Sequence, residues 1–147
     1  NKILQGSSVI CQFLGSLSDK RELIPSEGDA RWRALNGEAL SDGLCEAAIA
    51  IQRELSRPSE IRSQPWIDRQ KNKVSKTIHW INTHWELPSD IPSIDLIALS
   101  CTLNWIDYRL HNELGAWHQA NIRLSDWLRD FSKRPSMMQT RPPPFNG

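Results

Sequence analysis

The sequence predicts an all-α protein, a bundle of five to six helices packed around one buried central helix. Apolar residues recur at three- and four-residue spacing in four separate segments, and no stretch has the pattern of a β-strand. A fifth stretch, residues 91–110, is apolar on nearly every side for three turns. A helix with that pattern packs inside other helices. We therefore expect residues 91–110 to form the central helix.

Size and charge restrict the possible functions. A chain of 147 residues fits one domain, and roughly two thirds of its unfolded surface can be buried on folding. The formal net charge of +1 provides no field that would attract nucleic acid or an anionic membrane. The central apolar stretch is too short to span a bilayer, and no signal-peptide pattern appears. We expect neither nucleic acid nor a membrane as partner.

The cysteines are odd in number, and Cys11, Cys45 and Cys101 lie far apart, each within an apolar helical pattern. This usage is typical of reduced, buried thiols in a cytoplasmic protein rather than of a disulfide framework. Buried cysteine usually behaves as a small hydrophobic residue, so a structural role is favoured over a reactive thiol.

The first helix is predicted to begin at Ser7, as its N-cap, and to run to Leu17. Its apolar face is large for so short an element and requires a partner. Residues 19–29 form a polar connector that marks a boundary. A long helix then spans 30–55, and Pro58 ends it. Small residues beside its apolar stripe are expected to admit another helix closely; they are Ala39, Gly43 and Ala50.

The second half of the chain follows the same pattern. A helix is predicted over 66–85, with a basic side that we interpret as a solvated surface. After the central helix, 112–119 is predicted to be a loop and 122–131 a shorter helix. A brief turn then leads into the proline-rich segment 141–144, which is incompatible with a helix.

The four histidines do not form a metal-binding pattern. His79 and His84 are five residues apart, about 140° around a helix, and no cysteine or carboxylate pair completes a ligand set. The sequence also lacks a nucleophile elbow, a phosphate-binding glycine loop and a dinucleotide-binding fingerprint. We expect no metal site.

The sequence contains seven tryptophans, a high number for its length. Tryptophan usually contributes to cores and interfaces because it buries a large area. The alternative is an apolar ligand pocket between helices, for which Trp32, Trp105 and Tyr108 are the candidates.

The segment Gln5-Gly6-Ser7 is the one polar site whose residues suggest how a ligand would be bound. A serine at a helix N-terminus offers its hydroxyl and free backbone N–H groups, which together suit a carboxylate. Simple capping of the helix is the structural alternative.

Five segments carry a resemblance to a known family. They are 4–14, 38–44, 53–58, 94–98 and 127–143. In order and spacing they resemble the C-terminal, all-helical part of a bacterial glutathione S-transferase, preceded by the last helix of its thioredoxin-like domain. The resemblance implies that 1–18 is the tail of a truncated thioredoxin-like domain, 19–29 a linker and 30–147 the helical domain.

That resemblance implies a cytoplasmic homodimer that conjugates glutathione to hydrophobic electrophiles. In the family, the residue that activates the glutathione thiol lies near the start of the thioredoxin-like domain. No residue here matches it, so we assign no catalytic residue in this chain. Because the chain also begins at Asn1 without an initiator methionine, we expect a fragment of a longer protein that is itself inactive.

Residue by residue, Ser7 matches the family serine that binds the γ-glutamyl carboxylate of glutathione. Gly6 stands where the family has an acid that pairs with the glutathione amino group. Loss of that charge-assisted bond removes about 1.5–3 kcal/mol of interaction. Gln5 is the candidate substitute.

The start of the central helix also departs from the family pattern, because Pro92 stands where a capping Ser or Thr is usual. Two alternatives remain: Ser93 caps the helix, or Asp95 accepts from its backbone N–H groups.

Two other functions compete with the enzyme fragment. One is a non-catalytic helical protein–protein interaction module, favoured by Gly6 and by the lack of a thiol-activating residue. The other is an unrelated helical bundle, which would lack a buried central helix.

Overall fold

The computed structural model describes residues 3–17, 23–88 and 91–143 and forms helices, with no strand in these ranges. The α-helices are α1 (Ser7–Ser16), α2 (Gly28–Leu55), α3 (Gln64–His84), α4 (Ile94–Leu114), α5 (Trp117–Ala120), α6 (Ile122–Phe131) and α7 (Pro135–Gln139), with a 3-10 turn at Ser59–Ile61. The all-α prediction is confirmed. The predicted boundary at residue 18 and the last proline, Pro144, lie outside the described residues.

Seven helices form in the described ranges, rather than five to six, because two short ones replace irregular segments. The predicted loop over 112–119 is wrong: α4 continues to Leu114 through non-helical backbone at Leu110 (φ −127°, ψ 24°), and α5 follows after Gly115. Helix α7 replaces the predicted turn.

Helix α4 is the centre of the bundle and packs against α2 and α6, while α3 packs against α2 and α6. It runs parallel to α2, because Gly37 meets Asp95 while Thr102, further along α4, donates to the carbonyl of Ser41 at 3.3 Å. Buried side chains from all four helices form one core, which includes Leu44, Ile51, Val74, Ile78, Ile81, Leu99, Leu103, Ile106, Leu124, Leu128 and Phe131.

One face of α4 is not buried, contrary to the prediction of burial on nearly every side. Ile97, Trp105 and Tyr108 are half-buried and Cys101 is exposed. The four positions are spaced by three or four residues, so they share one face. The prediction of buried thiols is also wrong, since Cys11 and Cys45 are only half-buried.

Among the glycines of α2, it is Gly37, not Gly43, that lies against α4. A Cβ atom on Gly37 would lie 2.5 Å from the Cβ of Asp95 and 2.6 Å from Cζ2 of Trp85, whereas one on Gly43 would meet nothing within 4 Å. The absence of a side chain at position 37 therefore sets the separation of the two helices.

Helix α1 lies at the edge of the bundle, and none of its residues is buried. Phe13, for example, is 48% exposed. Two polar contacts connect α1 to α2: the Ser8 hydroxyl donates to Glu38 at 3.0 Å, and the Arg31 guanidinium donates to Gln12 at 2.9 Å.

The Glu54 carboxylate connects the end of α2 to the start of α3. Glu54 accepts the backbone N–H of Ser63 at 2.7 Å and hydrogen bonds from the Arg57 guanidinium at 3.1 and 3.2 Å. The bond from Ser63 is the main reason that the pKa of Glu54 lies below its ordinary value, and Arg57 lowers it further while burial opposes both.

Replacing Gly37 with Ala should destabilise the protein by about 1–3 kcal/mol, because the new methyl group overpacks the α2–α4 contact. Gly43→Ala is the matched control on the same helix. It should stabilise the protein by roughly 0.5–1 kcal/mol, since alanine is the better helix former and has room there. Urea denaturation followed by circular dichroism measures both, and equal effects of the two variants would contradict the packing argument.

Replacing Glu54 with Gln should lower stability at neutral pH in a pH-dependent way. The pKa of Glu54 is lowered in the folded state, so its contribution is present above the unfolded pKa and is lost as pH falls through the folded one. The difference between wild type and variant should therefore shrink below about pH 4. Urea midpoints from pH 3 to 7 test this, with exposed Glu46→Gln as the control; a pH-independent difference would refute it.

Candidate functional site

The N-terminus of α1 holds the three residues predicted to bind glutathione, and Gln5, Gly6 and Ser7 are all exposed. Gly6, not Ser7, is the N-cap, so the capping interpretation of Ser7 is wrong. Ser7 is the first helical residue, and no side chain caps the helix. The first backbone N–H groups of α1 lack intrahelical acceptors, which leaves them available to an anion beside the Ser7 hydroxyl.

Gly6 has a backbone conformation that is unfavourable for the acidic residue that the family has at this position. Its φ is +86° with ψ 131°, where residues with a side chain are strained by about 1–3 kcal/mol. Nothing lies within 4 Å of a Cβ built there, so conformation rather than space disfavours an acid.

Next to this site, Glu38 is a buried carboxylate that the sequence analysis missed. Its side chain is 4% exposed and accepts the hydroxyl of Ser8, the residue after Ser7. A buried carboxylate is costly unless it is hydrogen-bonded, which makes the α1–α2 contact specific. The sequence could have indicated this burial only through the position of Glu38, which lies on the same side of α2 as the buried Ala34 and Ser41.

At the start of α4, neither predicted capping bond forms. Ser93 is the N-cap by position, but its side chain does not cap. Its hydroxyl instead donates to Asp95, which also accepts the Trp85 indole N–H at 3.3 Å. Asp95 is 3% exposed, so it connects the end of α3 to α4 in the interior.

A cavity of about 820 Å³ opens on the unburied face of α4 and is also lined by residues of α7 and of the segment after it. Its lining residues are Cys101, Asn104, Trp105, Tyr108, Arg109, Ser132, Met137, Thr140, Arg141, Pro142 and Pro143. The cavity brings together two of the three predicted pocket residues, Trp105 and Tyr108. Trp32 is not among the lining residues, and it is 67% exposed near the start of α2.

The thiol in the cavity is poorly suited to be a nucleophile. Partial burial against the cavity walls raises the pKa of Cys101. Cys45 on α2 has a raised pKa as well, mainly through burial, although a hydrogen bond with Thr102 lowers it. Both thiols are therefore protonated at neutral pH, and the thiolate is the reactive form.

A polar network that the sequence analysis missed joins α4, α5 and α6. The His118 ring lies 2.8 Å from the Ser125 hydroxyl through Nδ1 and 2.9 Å from Asp107 through Nε2. The Trp117 indole donates to the same Asp107 oxygen at 2.9 Å. Because residues 112–119 were predicted as a loop, neither Trp117 nor His118 was placed near Asp107. The four side chains, Asp107, Trp117, His118 and Ser125, hold α5 and α6 against α4.

A second groove, of about 690 Å³, lies between the start of α2 and the end of α3. Trp80 stacks on His84 with ring centroids 5.3 Å apart and tilts against Trp85. Arg33 forms an ion pair with Glu86 at the edge of this aromatic cluster. Within the described ranges, no three His, Cys, Asp or Glu side chains form a group that could hold a metal ion.

Comparison with known proteins identifies the family. A crystal structure of a glutathione transferase family member from Pseudomonas fluorescens Pf-5, with bound S-(propanoic acid)-glutathione, is 34% identical, has a TM-score of 0.89, and is matched over 97% of this chain and 73% of that one. The chain belongs to the glutathione transferase family. The family resemblance inferred from the sequence is thereby confirmed.

Other relatives agree with this assignment. A glutathione S-transferase from Methylobacillus flagellatus KT with glutathione bound is 26% identical with a TM-score of 0.83, over 95% of this chain and 70% of that one. The uncharacterized GST-like protein YibF of Escherichia coli (strain K12) is 22% identical over 140 residues, 93% of this chain and 68% of YibF. No protein-family model matches. In the described part of the chain, no helix is long and apolar enough to cross a membrane.

Replacing Asp95 with Ala should cost about 1–3 kcal/mol, because the partly buried Trp85 indole N–H loses its acceptor. Asp42→Ala is the control: it removes an acid from the exposed side of α2 and should change stability by less than about 0.5 kcal/mol. Chemical denaturation gives both values. An unchanged midpoint for Asp95→Ala would remove the connecting role assigned to it.

Proposed function

We propose that this chain provides the helical domain of a glutathione transferase and that its cavity on α4 receives the hydrophobic electrophile. The main support for the proposal is the cavity, which is lined by Trp105 and Tyr108 in a chain that belongs to this family. The Pseudomonas fluorescens relative binds a glutathione that carries a propanoic acid on its sulfur. We therefore expect this chain to contain a pocket for a substituent on the glutathione sulfur as well.

Within this proposal, Ser7 and the free N–H groups of α1 bind the γ-glutamyl carboxylate of glutathione. Gly6 offers no acid to the glutathione amino group, and Gln5 is the remaining side chain for that contact. Glutathione affinity should consequently be modest.

The proposed domain organisation assigns 1–18 to a thioredoxin-like unit, 19–29 to a linker and 30–147 to the helical domain. The exposed apolar side chains of α1, among them Val9 and Phe13, support a separate packing unit for the first segment. A cytoplasmic homodimer belongs to the same proposal.

A second candidate function is a non-catalytic interaction module. The positive φ of Gly6 favours it, because the family acid would be strained at that position. No residue of this chain matches the family's thiol activator, so we propose that the chain alone does not conjugate glutathione.

Calorimetric titration of the chain with glutathione tests the binding site. Ser7→Ala should weaken binding about 10- to 100-fold, since a hydrogen bond to a charged group contributes about 1.5–3 kcal/mol. Ser16→Ala, an exposed serine at the other end of α1, is the control. Binding that is unaffected by Ser7→Ala would remove the serine from the site, and no binding at millimolar glutathione would favour the interaction module.

The same preparation is assayed with glutathione and chlorodinitrobenzene. The expected rate equals the uncatalysed one. Measurable turnover would refute the inactivity of the chain alone, while leaving the family assignment intact.

A further inference from the structure

The cavity on α4 has a chemical bias beyond its apolar character. Its lining includes aromatic, methionine and proline side chains, which suit a flat apolar ligand body, together with the polar residues Asn104, Ser132 and Thr140. Among its eleven lining residues, Arg109 and Arg141 carry positive charge and none is acidic. A ligand that enters it therefore meets apolar side chains and two arginines, with no acidic residue in the lining.

The two arginines are placed differently. The Arg109 guanidinium carbon lies 5.0 Å from the centroid of the Tyr108 ring, so its side chain lies over the aromatic wall. Arg141 is exposed at the rim, where its backbone N–H donates to the Met138 carbonyl at 3.4 Å. Among the described residues, Arg141 forms no ion pair, whereas Arg33, Arg57 and Arg129 all do.

We propose that the cavity prefers aromatic ligands that carry a carboxylate or another planar anion, and that Arg141 binds that anion at the rim. The inference rests on the proposed function of the cavity and specifies the class of electrophile that it accepts. A guanidinium presents two parallel N–H donors that match a carboxylate, and it remains charged at any pH of interest. The apolar body of the ligand would lie against Trp105 and Tyr108.

The expected preference is moderate because Arg141 is exposed. An exposed ion pair contributes up to about 1 kcal/mol, so an anionic ligand should bind roughly two- to fivefold more tightly than a neutral ligand of the same shape. The preference should decrease as ionic strength rises, since salt screens exposed charges.

The test compares naphthalene-2-carboxylate with its neutral carboxamide by calorimetry at low and high salt. Wild type should bind the carboxylate roughly two- to fivefold more tightly at low salt. Arg141→Gln should remove that difference and leave carboxamide binding unchanged. Arg129→Gln is the control for net charge: it removes an exposed arginine of α6 that lies outside the cavity, and it should retain the preference.

A second pair of variants locates the ligand. Trp105→Leu should weaken both ligands at least tenfold, while Trp32→Leu, which alters an exposed tryptophan outside the cavity, should leave both unchanged. Circular dichroism establishes that Trp105→Leu is folded. If it is not, Tyr108→Leu replaces it.

The outcomes separate the two proposals. Equal affinity for carboxylate and carboxamide in wild type, or a preference that persists in Arg141→Gln, overturns the anion inference and leaves the apolar pocket in place. Absence of binding by either ligand overturns the pocket and the anion inference together, and glutathione binding at Ser7 is then judged separately.

Discussion

The close contact of α2 with α4 at Gly37 is the constraint on which the rest of the structure depends. With no side chain at that position, the α2 backbone lies directly against Asp95 and Trp85. Helix α4 is thereby held along α2, and its core side chains meet those of α2 and α3. The same placement leaves the opposite face of α4, with Cys101 and Trp105, uncovered by α2. The helix that organises the core thus also provides the floor of the cavity.

Buried polar groups fix the positions of the elements around this contact. Asp95 joins the end of α3 to the start of α4, and Glu54 closes the corner between α2 and α3. The exposed Arg123 of α6 donates to the carbonyls of Ile81 and Trp85 at the end of α3. Asp95 and Glu54 are buried and would be costly without a partner, so each of these carboxylates selects one arrangement of its neighbours. The apolar core alone permits small rotations of the helices, because apolar attraction is not directional.

Helix positions followed from the sequence because apolar periodicity is a local property. The predicted ends of the five longer helices lie within a few residues of the observed ends. The proline at position 58 marked the end of α2 correctly. Periodicity could not identify which face of α4 would be uncovered, since Cys101 and Trp105 are as apolar as the residues that are buried. Nor could it indicate that Gly37 rather than Gly43 makes the close contact, because that depends on the partner helix. The positive φ of Gly6 had no sequence signal apart from glycine itself.

Helix α4 also relates the two halves of the proposed site. Glu38, which holds Ser8 of the N-terminal segment, follows Gly37, which touches Asp95 in the first turn of α4. Trp105 lies ten residues further along the helix, an axial distance of about 15 Å. The face of α4 that carries Cys101 and Trp105 differs from the face at Asp95 that meets Gly37. One rigid helix therefore supports both the contact that positions the N-terminal segment and the lining that determines the chemistry of the cavity.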